Sequence, residues 1–197
     1  MKILVATHNR GKLKELAQLL EGFPAEWVTL DDVGIAEEIE ETGVTFEENA
    51  RLKAAGYARL SGLLTLADDS GLEVDALNGE PGVYSARYGG PGADDDDRNR
   101  LVLAKMQGVP QGQRAARFRC VIAVATPEEI LFSVDGVVEG AVAYEPRGSN
   151  GFGYDPIFWM AEYGATLGEL GPEIKNGISH RGRAMQAARP RLEALAP

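Results

Sequence analysis

Apolar and polar residues follow two different periods along this chain. Lys2 to Ala6 is almost entirely apolar and predicts a buried first strand, while Leu13, Leu16, Ala17 and Leu20 recur at helical spacing just after it. The opening therefore predicts a strand, a short loop and a helix. Thr45-Phe46-Glu47-Glu48 has the form of a capping box, which predicts a helix from there to about Arg59. Phe46, Ala50, Tyr57 and Leu60 form its apolar stripe, and Asn49 and Lys53 fall on the same face. Polar groups are costly there unless the face borders a wet cleft or the two are paired inside. A further apolar run, Leu63 to Ala67, ends at Asp68-Asp69-Ser70-Gly71. That ending predicts carboxylates at the C-terminal end of a strand, where open α/β sheets bind ligands. Arg117 to Thr126 and Ile130 to Ala143 predict long strands joined by a turn at Thr126-Pro127-Glu128-Glu129, an antiparallel extension of the sheet. Ser179 to Leu195 is helical in composition, with Pro190 expected to kink or interrupt it. The fold class is α/β with a mixed sheet.

Length and composition narrow this picture. A chain of 197 residues, 44% hydrophobic, is predicted to form one domain over 1–197, with two lobes compatible with that size. It has no repeat or low-complexity tract. The opening MKILVA is too short for a signal sequence or a membrane span, so a cytoplasmic protein with no membrane partner is expected. A net charge of -10 argues against binding a nucleic-acid polymer, whose backbone calls for a basic face. Asp94 to Asp97 reads as a helix start, with carboxylates meeting unpaired N–H groups. The single cysteine, Cys120 in RFRCVIAVA, reads as a small core hydrophobe, and it rules out a disulfide within the chain.

Five segments carry candidate chemistry. Thr7-His8-Asn9-Arg10-Gly11-Lys12 lies between the first strand and its helix, where backbone N–H groups can receive a phosphate, with Lys12 adding charge and Thr7 and Asn9 further donors. Asn9 equally reads as a simple helix cap. Glu40-Glu41 and Asp68-Asp69 supply two carboxylate pairs, and one carboxylate from each suffices for magnesium, which keeps other positions for water and substrate. A solvated acidic turn is the plain alternative for Glu37 to Glu41; it suits Asp68-Asp69 less well, since two like charges crowd together after a buried run. Asn150-Gly151-Phe152-Gly153-Tyr154-Asp155-Pro156 combines glycines, two aromatic rings able to stack on a base, and a carboxylate able to accept from a purine N–H edge; it also reads as a turn entering the strand Ile157 to Met160. Lys175, His180 and Arg181 gather towards the C-terminus, and arginine suits a phosphate or a keto oxygen.

Taken together, THNRGK, EETGVTFEENARLKA, ADDSGLEVDAL, PGVYSARY, NGFGYDPIF and ISHRGRA resemble the inosine triphosphate pyrophosphatase family, the dITP/XTP pyrophosphatases of nucleotide-pool sanitation. The match runs in order over nearly the whole chain. The resemblance implies a long mixed twisted sheet with flanking helices, forming two lobes around a central cleft, and a homodimer. It implies a magnesium-dependent hydrolase that cleaves ITP, dITP and XTP to the monophosphate and pyrophosphate. Carried over by position, it makes Asp69 the general base, Glu41 and Asp69 the magnesium ligands, and Asp68 a helper. Thr7, His8, Asn9, Arg10, Gly11, Lys12, Lys53 and Lys175 would bind phosphate, with Ser70 among the substrate contacts. Phe152, Gly153, Tyr154 and Asp155 would hold base and sugar, and His180 and Arg181 would read the keto edge. A Maf-like nucleotide pyrophosphatase is the nearest rival, but its opening loop is rich in serine and arginine, unlike THNRGK. A non-catalytic nucleotide sensor is the rival of another class, and it gains little from Glu41, Asp68 and Asp69 beside a polyanion.

Overall fold

The computed structural model describes residues 1–195. In chain order the elements begin β1 (Lys2–Val5), α1 (Arg10–Leu19), β2 (Glu26–Thr29), α2 (Phe46–Ser61), β3 (Leu64–Val74) and α3 (Asp95–Lys105). They continue with β4 (Ala115–Ala125), β5 (Ile130–Val142), β6 (Phe158–Met160), β7 (Ala165–Thr166), α4 (Pro172–Ile178) and α5 (His180–Glu193). Hydrogen-bonded neighbours follow the order β2-β1-β3-β4-β5-β6-β7. The chain divides into two compact units: Met1–Asp69, Cys120–Gly136 and His180 onward form the first, Ser70–Arg119 and Val137–Ser179 the second.

In the first unit β1 runs parallel to both β2 and β3, with Leu4 facing Val28 on one side and Thr65 on the other. Parallel pairing needs a long return path, and α1 and α2 lie on those returns. Asn9 starts α1 by accepting the Lys12 N–H at 3.0 Å. The capping box of α2 forms as expected, Thr45 accepting from Glu48 N–H while the Glu48 carboxylate accepts the Thr45 N–H, and Gly62 closes the helix in the left-handed region at φ 70°. Ile3, Val5, Leu66, Ile122 and Val124 pack with Leu16 and Leu20 of the α1 segment and with Ala184, Met185, Ala188 and Leu192 of α5. Each fully buried leucine here contributes about 1.5–3 kcal/mol of transfer free energy. Gly136 on β5 has a steric reason: a Cβ there would lie 2.2 Å from the His180 carbonyl oxygen and 2.3 Å from the Ala184 nitrogen, so only glycine lets the first turn of α5 come this close.

The second unit has its own core, in which Leu72, Val74, Val102, Met106, Phe118, Val138, Val142, Ile157 and Phe158 meet. Strand β6 pairs antiparallel with both β5 and β7. Arg114 is buried and satisfied by carbonyls: Nε donates to Val142 at 2.8 Å, Nη1 to Met106 at 3.0 Å and Nη2 to Ala143 at 2.8 Å. The acidic run behaves as a helix start, Asp94 and Asp97 forming a reciprocal capping box on α3.

Several expectations need correction. The strand expected to stop before Asp68 continues to Val74, so the two aspartates sit in mid-strand and buried, with Leu72 and Val74 carrying the apolar pattern beyond them. Leu60 is 52% exposed, because the buried face of α2 centres on Ala50, Ala54, Tyr57 and Ala58. Ala17 is exposed as well. The C-terminal helix does not begin at Ser179, which instead ends α4 with its N–H on the Lys175 carbonyl. Nor does Pro190 interrupt α5, which runs on to Glu193; a proline this near the end removes one donor in the last turns, and its own carbonyl still accepts the Ala194 N–H at 3.2 Å. Thr126 N–H to Glu129 carbonyl, 2.9 Å, closes the expected turn between the neighbouring strands β4 and β5. Among the described residues no helix is long and apolar enough to cross a membrane.

Candidate active site

In the first unit the acidic and basic candidates come together. Lys53, on α2, donates to Glu41 Oε1 at 2.6 Å and to Asp69 Oδ1 at 3.1 Å. Lys12 Nζ lies 3.2 Å from Asp68 Oδ2. Arg181, at the start of α5, donates to the same Asp68 oxygen from Nε at 3.3 Å and Nη2 at 3.1 Å, and Nη1 pairs with Glu15. Asn49 is fully buried and accepts the Gly43 N–H at 2.8 Å, fastening the segment that carries Glu41 to α2. Both polar residues on the apolar stripe of α2 are thus paired inside the unit.

The two aspartates differ electrostatically. Burial alone would raise Asp68, but Lys12, Arg181 and Lys53 outweigh it and hold its carboxyl well below the usual carboxylate range. Asp69 moves the other way: burial pushes it up, the Glu41 charge adds to this, and Lys53 and Lys12 offset only part. Lys53 shows the complementary effect, since burial disfavours its charge while Asp69, Asp68 and Glu41 restore it and leave its pKa raised. Burial also pushes the Cys120 thiol up, with the Asp68 charge beside it, so Cys120 is an inert core thiol.

Fitness for a divalent ion follows from two observations. Glu41 and Asp69 already converge on one cationic group, and Asp69 Oδ2 is buried without a hydrogen-bond partner. Two hard carboxylate ligands suit magnesium, which keeps water and substrate in its remaining positions. Among the described residues no group of three or more His, Cys, Asp or Glu is placed to hold a metal ion by itself. Glu40 is exposed.

The opening loop is partly committed to itself. Thr7 Oγ1 accepts the Asn9 N–H at 3.1 Å, Asn9 caps α1, and His8 Nε2 lies 3.3 Å from the Glu37 carbonyl oxygen. Arg10 is exposed, and Gly11 and Lys12 are half-buried in the first turn of α1.

The remaining candidates, apart from His180 and Arg181, belong to the second unit. Ser70, half-buried, follows Asp69 on β3. Asp155 is buried, accepts the Phe152 N–H at 2.8 Å and pairs with the buried Lys175. Tyr154 is a core residue whose hydroxyl donates to the Ser85 carbonyl at 2.8 Å. Of the two rings in this loop only Phe152 keeps partial exposure, with Lys175 Nζ 5.1 Å from its centroid. His180, in the first unit, is buried.

Glu15 and Asn49 are the residues that sequence reasoning passed over or left without a role. Asn49 had a signal, a buried helical position without an apolar side chain. Glu15 had none, because its partner Arg181 lies far along the chain.

The chain resembles known proteins over nearly its whole length. The Ham1 family profile matches residues 3–191. A dITP/XTP pyrophosphatase of Geobacter sulfurreducens is 48% identical over 191 residues, covering 97% of this chain and 96% of that protein. One from Bacillus subtilis is 49% identical with the same coverage, 97% and 96%. Among solved structures, a HAM1 protein from Coxiella burnetii superposes with a TM-score of 0.89 at 42% identity, covering 98% of this chain and 99% of that one. The Staphylococcus aureus Ham1 protein gives 0.88 at 39% identity over the full length of both chains, 100% each. With a profile spanning nearly every element described above, this chain belongs to the Ham1 family.

Proposed function

We propose that this protein hydrolyses the deaminated purine nucleoside triphosphates ITP, dITP and XTP to the monophosphate and pyrophosphate. The observation that carries the proposal is the convergence of Glu41 and Asp69 on a single cation, with Lys12 one carboxylate away. The names of the curated relatives support the substrate class.

In this reading Asp69 takes a proton from the attacking water as a bond forms to the α-phosphorus, and the α–β anhydride bond breaks to release pyrophosphate. Lys12 and Lys53 neutralise charge on the departing phosphates. Glu41 and Asp69 would hold magnesium, which supplies further charge neutralisation and favours the ionised base. Arg181, committed to Asp68 and Glu15, then serves first to keep Asp68 ionised and in place. A 6-keto purine accepts where adenine donates, so a donor-lined pocket rejects ATP. On the family resemblance the reading extends to a cytoplasmic homodimer acting on free nucleotides, and the net charge of -10 supports the exclusion of nucleic-acid polymers.

The test is pyrophosphate release from ITP, XTP, GTP and ATP with magnesium present. Turnover is expected for ITP and XTP and little for ATP; no release from any of them would leave only a nucleotide sensor. Asp69→Asn is expected to lower kcat by about 10²–10⁴-fold while the protein stays folded.

A further inference from the structure

The loop assigned to the base is held by a helix to which no role has yet been given. Gly153, between Phe152 and Tyr154, is gripped on both of its peptides by α3: its N–H donates to Asp95 Oδ2 at 2.8 Å, and its carbonyl accepts from Asn99 Nδ2 at 3.0 Å. Asp95 and Asn99 are one turn apart and therefore share a face of the helix. Asn99 is 2% exposed, and its Oδ1 is buried without a hydrogen-bond partner, so the side chain is retained for its donor at the expense of its acceptor. The other Asp95 oxygen pairs with Arg98 Nη1 at 2.8 Å, which fixes the carboxylate in turn.

On either side of Gly153 the loop is fastened as well. Asp155 accepts the Phe152 N–H, and the Tyr154 hydroxyl reaches the Ser85 carbonyl. Gly153 itself has φ +62°, with nothing within 4 Å of where a Cβ would be, so no packing at that position helps to hold the peptide and the hydrogen bonds to α3 do so. With Tyr154 in the core, the half-buried Phe152 ring is the part of the loop left to meet a base.

We propose that Asp95 and Asn99 are positioning residues for substrate binding: they clamp the peptides of Gly153 and so pre-set the Phe152 ring for stacking on the nucleobase. This rests on the assignment of residues 152–155 to base and sugar made under the proposed function. Such a clamp lowers the ordering cost of binding and acts equally on ground and transition states, so it belongs in KM and not in kcat.

The experiment is steady-state pyrophosphate release from ITP by wild type and by Asn99→Asp, Asp95→Ala and Asp95→Asn. Asn99→Asp keeps the size but replaces the donor with a carboxylate facing the Gly153 carbonyl; KM should rise about tenfold, with kcat within about twofold. Asp95→Ala should also raise KM, and Asp95→Asn, which keeps an oxygen acceptor for the Gly153 N–H, should restore most of it. Because Asp95 is partly exposed, this pair decides the matter even if Asn99→Asp fails to fold. Active wild type with unchanged KM in Asp95→Ala, with a fall in kcat alone, or with no rescue by asparagine would overturn the clamp. Wild type releasing no pyrophosphate would overturn the enzymatic reading and the clamp with it.

Discussion

Replacing Arg181 with methionine is the most informative single perturbation of the first unit. Arg181 and Asp68 are each 1% exposed and Glu15 is 7% exposed, so the three charges interact with little screening from water. Methionine fills much of the volume but removes the guanidinium from between two buried carboxylates. Breaking a buried ion pair on one side costs about 3–5 kcal/mol, chiefly because a charge is left without compensation. Lys12 still faces Asp68 at 3.2 Å, so the expected loss lies at the lower end, about 3 kcal/mol. Urea unfolding of wild type, Arg181→Met and the triple variant Arg181→Met/Asp68→Asn/Glu15→Gln gives the measurement, and neutralising both carboxylates should recover most of the loss. The pH dependence adds an independent check. The native Asp68 carboxyl titrates below its ordinary 3.8, so its contribution to stability is present above that value and lost as the pH falls through it towards the native value. Removing Arg181 weakens that depression, so between about pH 5 and pH 3 the variant should lose less stability through Asp68 than wild type does. A destabilisation below about 1 kcal/mol, or one undiminished in the triple variant, would refute the reasoning.

Three further outcomes follow from the same geometry. Burial raises the Asp69 carboxyl above its ordinary 3.8, and the base works ionised, so kcat/KM should fall as pH drops through that raised value, with the limb moving to lower pH as magnesium increases; a limb insensitive to the metal would contradict the ligand assignment. Asn49→Leu strands the Gly43 N–H and should destabilise the fold by about 1–3 kcal/mol while raising the half-saturating magnesium concentration through Glu41, as a metal titration of activity would show. Gly151→Ala combines φ +76° with a Cβ 2.0 Å from Asp155 Oδ2, so a thermal melt should show destabilisation of at least about 1 kcal/mol, and an unchanged melt would mean that the Asp155–Lys175 pair is looser than described.

Much of this was legible in local patterns, because caps and periodicity depend on neighbours in sequence. The capping box at Thr45, the acidic start of α3 and the turn at Thr126 all formed where short-range chemistry placed them. Illegible features depended on partners far along the chain. β3 continues through two aspartates because Lys12 and Arg181 neutralise one of them in its interior, and neither partner is visible from Leu63 to Gly71. Arg181 illustrates the same limit in the site: the sequence offers it as a reader of the keto edge, and its ion pairs with Glu15 and Asp68 are invisible there. Tyr154 and Phe152 both read as rings able to stack, and it is the packing of Tyr154 in the second core, with its hydroxyl on the Ser85 carbonyl, that distinguishes the core ring from the accessible one.

The consecutive aspartates join the local and the long-range accounts. Adjacent residues on a strand present their side chains to opposite faces, so Asp68 and Asp69 meet different partners although they share a backbone. Asp68 meets Lys12 and Arg181, while Asp69 meets Lys53 and Glu41. Lys12, Arg181 and Lys53 together outweigh burial on Asp68 and depress it; on Asp69 burial stays dominant, with Glu41 adding to it and Lys53 and Lys12 offsetting only part. Two chemically identical groups are thereby driven apart in proton affinity, a separation that, under the proposed function, suits one to a fixed charge and the other to proton transfer. Exchange of the two roles is sterically blocked, since a one-residue slip of β3 would also turn Leu66 and Leu72 out of their cores. The packing register of the strand is therefore what sets the two carboxylates apart, and under the proposed function it makes Asp69, and not Asp68, the base.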